Sequence, residues 1–249
     1  MKVTIITVCW QSAATIEQTI HSVLDQSYPN IEYIIKDGGS TDATLSIIQQ
    51  YAQQSGGRLQ FLSEKDGGIY DAMNRGLGLA TGDIIGILNS DDVLAHNNVI
   101  AQIVARFQEN ENIDAVYADL VFKDEKTLTR TTRKFIAGKP TTRLAWHPPH
   151  PTLYLKRKIY EDLGIFDTRF RIAADFDLML RIVRSGKYQL SYIPENLVFM
   201  RDGGASTAGL QSYWKSFRDS IEVMKKNKIP FPYWVNTIRT LRFFYQKLR

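Results

Sequence analysis

The segment Gly82-Asp83-Ile84-Ile85-Gly86-Ile87-Leu88-Asn89-Ser90-Asp91-Asp92 joins an apolar run to two adjacent carboxylates. An apolar run of this length between glycine and polar residues is typical of a strand buried on both faces, so we predict a strand from Ile84 to Leu88. Ligands of open α/β sheets bind beyond the carboxyl ends of the strands, which is where Asp91 and Asp92 fall.

The adjacent carboxylates Asp91 and Asp92 predict a metal site. Like charges this close disfavour each other's ionised forms, and a hard divalent cation with oxygen ligands removes that repulsion. We therefore expect Mn²⁺ or Mg²⁺, together with a diphosphate, at this position. The alternative is a turn in which Asn89, Ser90 and the aspartates cap the next helix.

Strands and helices alternate through the first 92 residues. Apolar runs predict strands over residues 3–8, 31–35, 59–62 and 84–88. Between them, apolar residues recur at helical spacing. Helices are predicted over residues 16–24, 43–54 and 69–80. This alternation predicts an α/β fold with a mostly parallel central sheet flanked by helices.

The pattern after Asp92 is less regular. Helices are predicted over residues 99–107 and from Phe176 onward. Short strands are predicted over residues 115–117, 152–155, 191–194 and 197–200, and a hairpin with arms at 120–122 and 127–132. Two helical stretches, separated by Pro230-Phe231-Pro232, form a C-terminal extension of residues 211–249. The preceding domain is expected to cover residues 1–210.

Composition restricts the cellular setting. Cys9 is the only cysteine, so no internal disulfide forms, in agreement with a reducing compartment. The sequence shows no signal peptide and no run near the ~18–20 apolar residues of a spanning helix. We expect a cytoplasmic protein.

The charge of the chain is concentrated in its tail. From Gln211 onward nine basic residues face two acidic ones, a net charge of +7, which leaves −2 for the first 210 residues of a chain with +5 overall. Aromatic residues lie among these cations, a combination that suits an anionic membrane surface. The alternative, which does not exclude the first, is a pair of helices packed on the domain with a solvated basic face. Nucleic acid is not expected as a partner, because the body is mildly acidic.

A second acidic loop follows the second predicted strand. Asp37 lies there, before a glycine pair, and could accept hydrogen bonds from a base or ribose; the alternative is a turn-forming aspartate. The chain lacks G-x-G-x-x-G after its first strand and lacks G-x-x-x-x-G-K-[ST], which argues against dinucleotide-binding and P-loop proteins.

Five motifs in order resemble the family 2 glycosyltransferases of the GT-A fold, especially bacterial exopolysaccharide and O-antigen enzymes of the colanic-acid type. They are Ile5-Ile6-Thr7-Val8, Lys36-Asp37-Gly38-Gly39-Ser40-Thr41-Asp42, Gly67-Gly68-Ile69-Tyr70-Asp71-Ala72-Met73-Asn74-Arg75-Gly76, Ala80-Thr81-Gly82-Asp83 and Leu88-Asn89-Ser90-Asp91-Asp92. The resemblance covers residues 1 to about 205.

The resemblance implies an inverting transfer from a nucleotide-diphosphate sugar. Asp37 matches the base-binding acid, and the D-x-D motif falls on Asn89-Ser90-Asp91. Asp91 is then the metal ligand, with Asp92 as second ligand or sugar contact. The donor site implied by the motifs comprises Thr7, Asp37, Asn74, Asn89, Asp91 and Asp92. The sequence departs from the family pattern at Asn89, Met73 and Ala174, where Asp, Arg and Glu are usual.

The second half supplies the remaining candidates. Asp175 matches the family's catalytic base, and a positioned carboxylate is what an attacking hydroxyl needs; the alternative is a helix-capping acid. Asp177 is expected to brace the helix. His150 is expected near the acceptor or the phosphates. Arg201, before a glycine-rich loop, is expected to contact the diphosphate as part of a lid.

These observations predict a metal-dependent glycosyltransferase at the cytoplasmic face of a bacterial membrane. The expected acceptor is a saccharide linked to a polyprenyl diphosphate. Two alternatives remain at this stage. One is a sugar-phosphate nucleotidyltransferase, which would need a glycine-rich, arginine-containing loop after the first strand. The other is an inactive sugar-nucleotide-binding or scaffolding relative.

Overall fold

The computed structural model describes residues 1–124, 127–139, 146–202 and 210–247, with the backbone alone at 210–213 and 242–247. Within them the strands are β1 (Val3–Cys9), β2 (Ile31–Asp37), β3 (Leu59–Ser63), β4 (Ile84–Ile87), β5 (Val93–Leu94), β6 (Ile113–Lys123), β7 (Thr131–Phe135), β8 (Tyr154–Lys156) and β9 (Gln189–Arg201). The helices are α1 (Ile16–Leu24), α2 (Thr44–Gln54), α3 (Ile69–Leu79), α4 (Val99–Glu109), α5 (Arg157–Leu163), α6 (Ala174–Ser185), α7 (Leu210–Lys226) and α8 (Pro232–Lys247).

The strands form one sheet in the order β3-β2-β1-β4-β8-β6-β9-β5, with β7 paired to β6. The half made of β3, β2, β1 and β4 is parallel, as the alternating pattern predicts. Its strands therefore end at one edge of the sheet, and Asp37 pairs with Cys9 at the end of β1. This register places the loops after β1, β2 and β4 side by side.

The other half of the sheet is mixed. β8 runs antiparallel to both β4 and β6, whereas β9 runs parallel to β6. Helices cover both faces: the core cluster on one face includes residues of α1, α2 and α4, and that on the other includes residues of α3, α5 and α6. The α/β class with flanking helices is confirmed.

Two strands of the second half are longer than predicted. The predicted strands at 115–117 and 120–122 are parts of β6, and those at 191–194 and 197–200 are parts of β9. The pairing passes from Ala118–Ile193 to Asp119–Asn196, so Pro194 and Glu195 form a bulge. A proline within a strand is tolerated at such a bulge, although in the sequence it indicates a break.

Two further boundaries were wrong. The hairpin arm predicted at 127–132 begins instead at Thr131, because the Asp124 carboxylate accepts backbone hydrogen bonds from Thr127, Thr129 and Arg130 and makes that segment a turn. The strand predicted at 152–155 begins at Tyr154, because residues 150–152 form a 3-10 turn.

Gly86 allows β4 and β8 to pair closely. A Cβ atom at Gly86 would lie 2.4 Å from the ring of Tyr154, which crosses the strand there. No L-residue with a side chain fits at this position without movement of Tyr154. The glycine in the middle of the apolar run thus positions the strand that carries the two carboxylates.

The C-terminal helices pack on the domain. Buried residues of α7, α8 and the connection between them form a third cluster with α6: Ala173, Phe176, Leu180, Val223, Met224, Ile229 and Val235. Asp177, fully buried on α6, accepts from Arg181, Lys226 and Asn227 at 2.8–2.9 Å and ties α6 to the end of α7. Of the two arrangements expected for the C-terminal extension, the packed one is present in its described residues. No described helix combines the length and hydropathy needed to cross a membrane.

Candidate active site

Asp91 and Asp92 follow β4 at the carboxyl edge of the parallel half-sheet. Asp92 is fully buried, and its Oδ2 accepts a hydrogen bond from Asn89 Nδ2 at 2.9 Å. Thr19 of α1 donates to the Asp92 carbonyl at 2.8 Å, which fixes the turn against the first helix. Asp91 is only half-buried. Asp91 is therefore the more accessible of the two carboxylates.

The environment of this pair fits a cation. Burial raises the pKa of both carboxyls, and the Asp91 charge raises the pKa of Asp92 further, against the effects of Asn89 and Arg201. Asp92 Oδ1 is buried and accepts no hydrogen bond among the described residues. Among the residues that the structure describes, no group of three or more His, Cys, Asp or Glu side chains could hold a metal ion. Mn²⁺ or Mg²⁺ would thus bind two carboxylates and take other oxygens from a ligand.

Arg201 is the positively charged residue that acts on both carboxylates of this pair. It ends β9, is 6% exposed, and donates from Nη2 to Gln18 Oε1 of α1. Its charge lowers the pKa of both Asp91 and Asp92. The predicted contact with a diphosphate stays a prediction, and most of the predicted lid, residues 203–206, lies outside the described residues.

Asp37 is bound by its own loop. Its Oδ2 accepts from the amides of Gly39 (3.1 Å) and Ser40 (3.0 Å) and from Ser63 Oγ at 2.6 Å, and its Oδ1 accepts from Ser40 Oγ. Burial raises the pKa of this carboxyl, but the hydrogen bonds outweigh burial and lower it overall. The carboxylate shapes the loop after β2, and its predicted contact with a base stays a prediction.

Thr7 and Asn74 are also held by the protein. Thr7 is fully buried in β1 and accepts from Tyr33 Oη at 3.1 Å. Asn74 of α3 donates to the Phe166 carbonyl at 2.9 Å and accepts from the Phe166 amide at 3.0 Å. In this structure Asn74 joins α3 to the segment before α6. Donor contacts of both residues stay predictions.

Asp175 lies in the first turn of α6, half-buried, opposite α3. Tyr70 Oη of α3 lies 2.8 Å from Asp175 Oδ1 and 2.7 Å from the Ile172 carbonyl, so its one proton is shared between two acceptors. Burial and then the Asp175 charge hold the pKa of Tyr70 well above its usual range, which keeps this hydroxyl a donor. Sequence analysis missed Tyr70, although it lies within the motif that contains Asn74.

Three further side chains interact electrostatically with Asp175. His150 packs edge-on against Phe166, with ring centroids 5.8 Å apart, and its pKa is lowered by burial and raised by the Asp175 charge. The same charge acts on His147 and on Arg239 of α8. Nothing in the sequence pointed to Arg239, because it lies 64 positions from Asp175 and only the packing of α8 brings it here.

Together, the half-parallel sheet, the carboxylate pair after its central strand and the separate carboxylate on a facing helix define the GT-A class of glycosyltransferase. Solved structures with this fold include the mannosyltransferase PcManGT from Pyrobaculum calidifontis in complex with GDP-Man and Mn²⁺ (TM-score 0.68, 20% identity, 90% of this chain and 63% of that chain). They also include S. aureus TarS 1-349 in complex with UDP-GlcNAc (TM-score 0.67, 17% identity, 90% of this chain and 67% of that chain).

The chain belongs to glycosyl transferase family 2, whose sequence profile matches residues 4–175. A PGL/p-HBAD biosynthesis glycosyltransferase of Mycobacterium tuberculosis is 32% identical over 171 residues, 68% of this chain and 64% of the relative. An uncharacterized glycosyltransferase of the same species is 31% identical over 186 residues, which are 72% of this chain and 68% of that relative. The chain thus aligns with less than two thirds of the length of the first of these relatives. The predicted family is confirmed.

Proposed function

We propose that this chain catalyses inverting, metal-dependent transfer of a sugar from a nucleotide-diphosphate sugar to a hydroxyl of a saccharide acceptor. The acceptor is proposed to be linked to a polyprenyl diphosphate, and the process to be bacterial surface polysaccharide synthesis, either exopolysaccharide or lipopolysaccharide. The observation that carries the proposal is the separation of two carboxyl sites. Asp91 and Asp92 interact electrostatically with Arg201. Asp175 instead accepts a hydrogen bond from Tyr70.

The carboxylate pair and Arg201 form the donor side. A divalent cation held by Asp91 and Asp92 would supply positive charge to the leaving diphosphate. Arg201 would add a second, permanent positive charge on the same side. The GDP-Man and Mn²⁺ in PcManGT and the UDP-GlcNAc in TarS support a nucleotide-sugar donor for this fold.

Asp175 is proposed as the general base. It takes the proton of the acceptor hydroxyl while that oxygen forms a bond to the anomeric carbon and the nucleoside diphosphate leaves from the opposite side. This direct displacement inverts the configuration at the anomeric carbon. Tyr70 orients the carboxylate through its hydrogen bond to Oδ1.

The C-terminal helices are proposed to contact the cytoplasmic face of the plasma membrane. Trp214, Phe231, Tyr233, Trp234 and Leu241 are each at least 60% exposed, although they are large and apolar. Lys225 lies 5.3 Å from the Tyr233 ring centroid, so cations accompany the aromatic rings. Such a surface suits anionic headgroups.

A thermal-shift screen tests the donor side first. UDP, GDP, CDP, dTDP and ADP are compared, each with and without Mn²⁺, for the wild type and for Asp91→Asn. A ligand at 100 times its dissociation constant stabilises by about 2.7 kcal/mol, which corresponds to several degrees here. We expect one nucleotide to act only with metal and only in the wild type. No shift with any nucleotide would contradict the proposal, and pyrophosphate release from a nucleoside triphosphate would favour the nucleotidyltransferase alternative.

A further inference from the structure

Arg239 of α8 enters the neighbourhood of Asp175 from the C-terminal extension. Its Nη2 lies 2.7 Å from His147 Nε2, and its guanidinium carbon lies 3.9 Å from the centroid of the Phe176 ring. Phe176 directly follows Asp175 and also packs edge-on against His147, with centroids 5.0 Å apart. The guanidinium therefore contacts two rings, one of which belongs to the residue that follows the proposed base.

The hydrogen bonds of His147 fix its tautomer. Its Nδ1 lies 3.0 Å from the Pro148 carbonyl, which can only accept, so Nδ1 carries the proton. Nε2 is then a lone pair that accepts from Arg239. Burial, and next the Arg239 charge, lower the pKa of His147 to about 4, so the ring is neutral at pH 7. His147 holds the guanidinium in place without offsetting its charge.

The charge of Arg239 has no anionic partner within ion-pair distance in the part of the chain that the structure describes. Burial lowers the pKa of Arg239 to about 10, which leaves it charged at neutral pH, and the Asp175 carboxylate acts in the opposite direction. Its Nη1 is buried and donates no hydrogen bond to any described residue. A buried donor without an acceptor is destabilising, and more so in a charged group.

The two arginines interact electrostatically with different carboxylates. The Arg201 charge lowers the pKa of Asp91 and Asp92, whereas the Asp175 charge raises the pKa of Arg239. The contact of Arg239 with the ring of the residue that follows Asp175, together with this electrostatic interaction, assigns Arg239 to the acceptor side of the site. Its free donor lies on a planar fork, the geometry that suits the oxygens of a phosphate.

We propose that Arg239 is a substrate-binding residue that holds a phosphate group of the acceptor beside Asp175. The inference rests on the proposed function, because it takes Asp175 to mark the acceptor side. It makes α8 part of the active site. The phosphate would belong either to a prenyl carrier or to a soluble phosphorylated acceptor, and the experiment below separates these sources.

Imidazole NMR of the 249-residue chain gives a direct test, since the chain has only four histidines. The ¹⁵N-labelled protein is titrated with inorganic phosphate at constant ionic strength. We expect saturable shifts of the His147 signals, while the exposed His21 and His96 report non-specific effects. Arg239→Gln should weaken the response at least tenfold. Arg218→Gln, which removes an exposed charge from α7, should leave it unchanged.

Arg239→Lys covers the case in which Arg239→Gln does not fold, since it keeps the charge but loses the fork; we expect weaker, saturable binding. No saturable shift in the wild type, or an equal response in a folded Arg239→Gln protein, would overturn the inference. Farnesyl phosphate in a parallel titration identifies the source. Binding at least tenfold tighter than that of inorganic phosphate supports a prenyl carrier, and equal binding supports a soluble phosphorylated acceptor.

The nucleotide screen keeps this inference separate from the proposed function. If nucleoside diphosphates stabilise Arg239→Gln as much as the wild type, Arg239 lies outside the donor site, as proposed. If Arg239→Gln alone loses the nucleotide effect, Arg239 serves the donor and the inference is wrong. If no nucleotide stabilises the wild type, the proposed function fails, whatever the phosphate titration shows.

Discussion

Asn89 donates its side-chain amide to the carboxylate of Asp92, with Nδ2 and Oδ2 2.9 Å apart. The family pattern has an aspartate at this position, but an aspartate here would bring a third carboxylate against a buried one. An amide instead offers a donor and lowers the pKa of Asp92, against the effect of burial. The departure from D-x-D is thus compensated within the motif itself.

Asn89→Asp should destabilise the protein in the absence of metal. The substitution removes the donor and adds a like charge, so we expect a loss of about 1–3 kcal/mol in the free energy of unfolding. Urea unfolding at pH 7 measures it, and Mn²⁺ should restore part of the loss. Asn97→Asp, on an exposed turn, is the matched control and should change stability by less than about 0.5 kcal/mol. Equal effects of the two substitutions would contradict this account of Asn89.

Asp175→Asn should slow transfer strongly and leave the donor site intact. General-base catalysis contributes about 10²–10⁴-fold, and kcat should fall by that order. Tyr70→Phe removes only the hydrogen bond to Oδ1, so we expect a smaller loss of about tenfold. Both variants should keep the nucleotide-induced thermal shift. Glu161→Gln, an exposed charge on α5, serves as the control. Near-normal transfer by a folded Asp175→Asn protein would exclude Asp175 as the base.

Glu32 should make stability depend on acidic pH. Its carboxylate accepts from Lys2 Nζ and Thr4 Oγ1 at 2.6 Å and from the Thr81 amide at 2.7 Å. Burial raises the pKa of Glu32, but these bonds outweigh it and hold the pKa at about 2. Because the folded pKa lies below the unfolded one, the stabilisation is complete above about pH 4.5 and is lost as pH falls through 2.

The measurement is urea unfolding of the wild type and Glu32→Gln between pH 2 and pH 7. The wild type should be more stable by roughly 2 kcal/mol at pH 7, and the difference should shrink below pH 4. Glu195→Gln changes an exposed glutamate and should show no such trend. A difference that stays constant across this range would refute the linkage.

Two substitutions in the C-terminal extension should separate its two surfaces. Met224→Ala removes a fully buried side chain between α6 and α7, and we expect a loss of about 2–5 kcal/mol in unfolding free energy. Trp234→Ala removes a side chain that is 67% exposed and should cost little stability. It should, however, weaken co-sedimentation with vesicles containing phosphatidylglycerol. Unchanged vesicle binding would argue against the proposed membrane contact.

Sequence patterns predicted the parallel half-sheet well, because its strands are continuous apolar runs separated by amphipathic helices. They failed where pairing with a distant strand determines the length of a strand. β6 and β9 continue through Asp119 and Pro194 because the two strands pair with each other on both sides of a bulge. The predicted start of β7 was wrong because the Asp124 carboxylate binds the backbone amides that follow it and so lengthens the turn.

The motifs named Asp91, Asp92 and Asp175 as candidates, and the fold places the first two after β4 and the third in the first turn of α6. They could not show which polar atoms the protein uses for itself, as it does at Asp37 and Asn74. Nor could they reveal Arg239. Its place beside Phe176 depends on the packing of two helices that carry no recognised motif.

Trp234 and Arg239 lie on one helix, five positions and about 7.5 Å of helix axis apart. If the exposed end of α8 rests on a bilayer, the helix fixes the distance between the lipid headgroups and Asp175. It therefore also fixes the height at which an acceptor hydroxyl reaches this carboxylate. Acceptors would then be selected by the distance between their lipid and their terminal sugar, a criterion of length rather than of sugar chemistry.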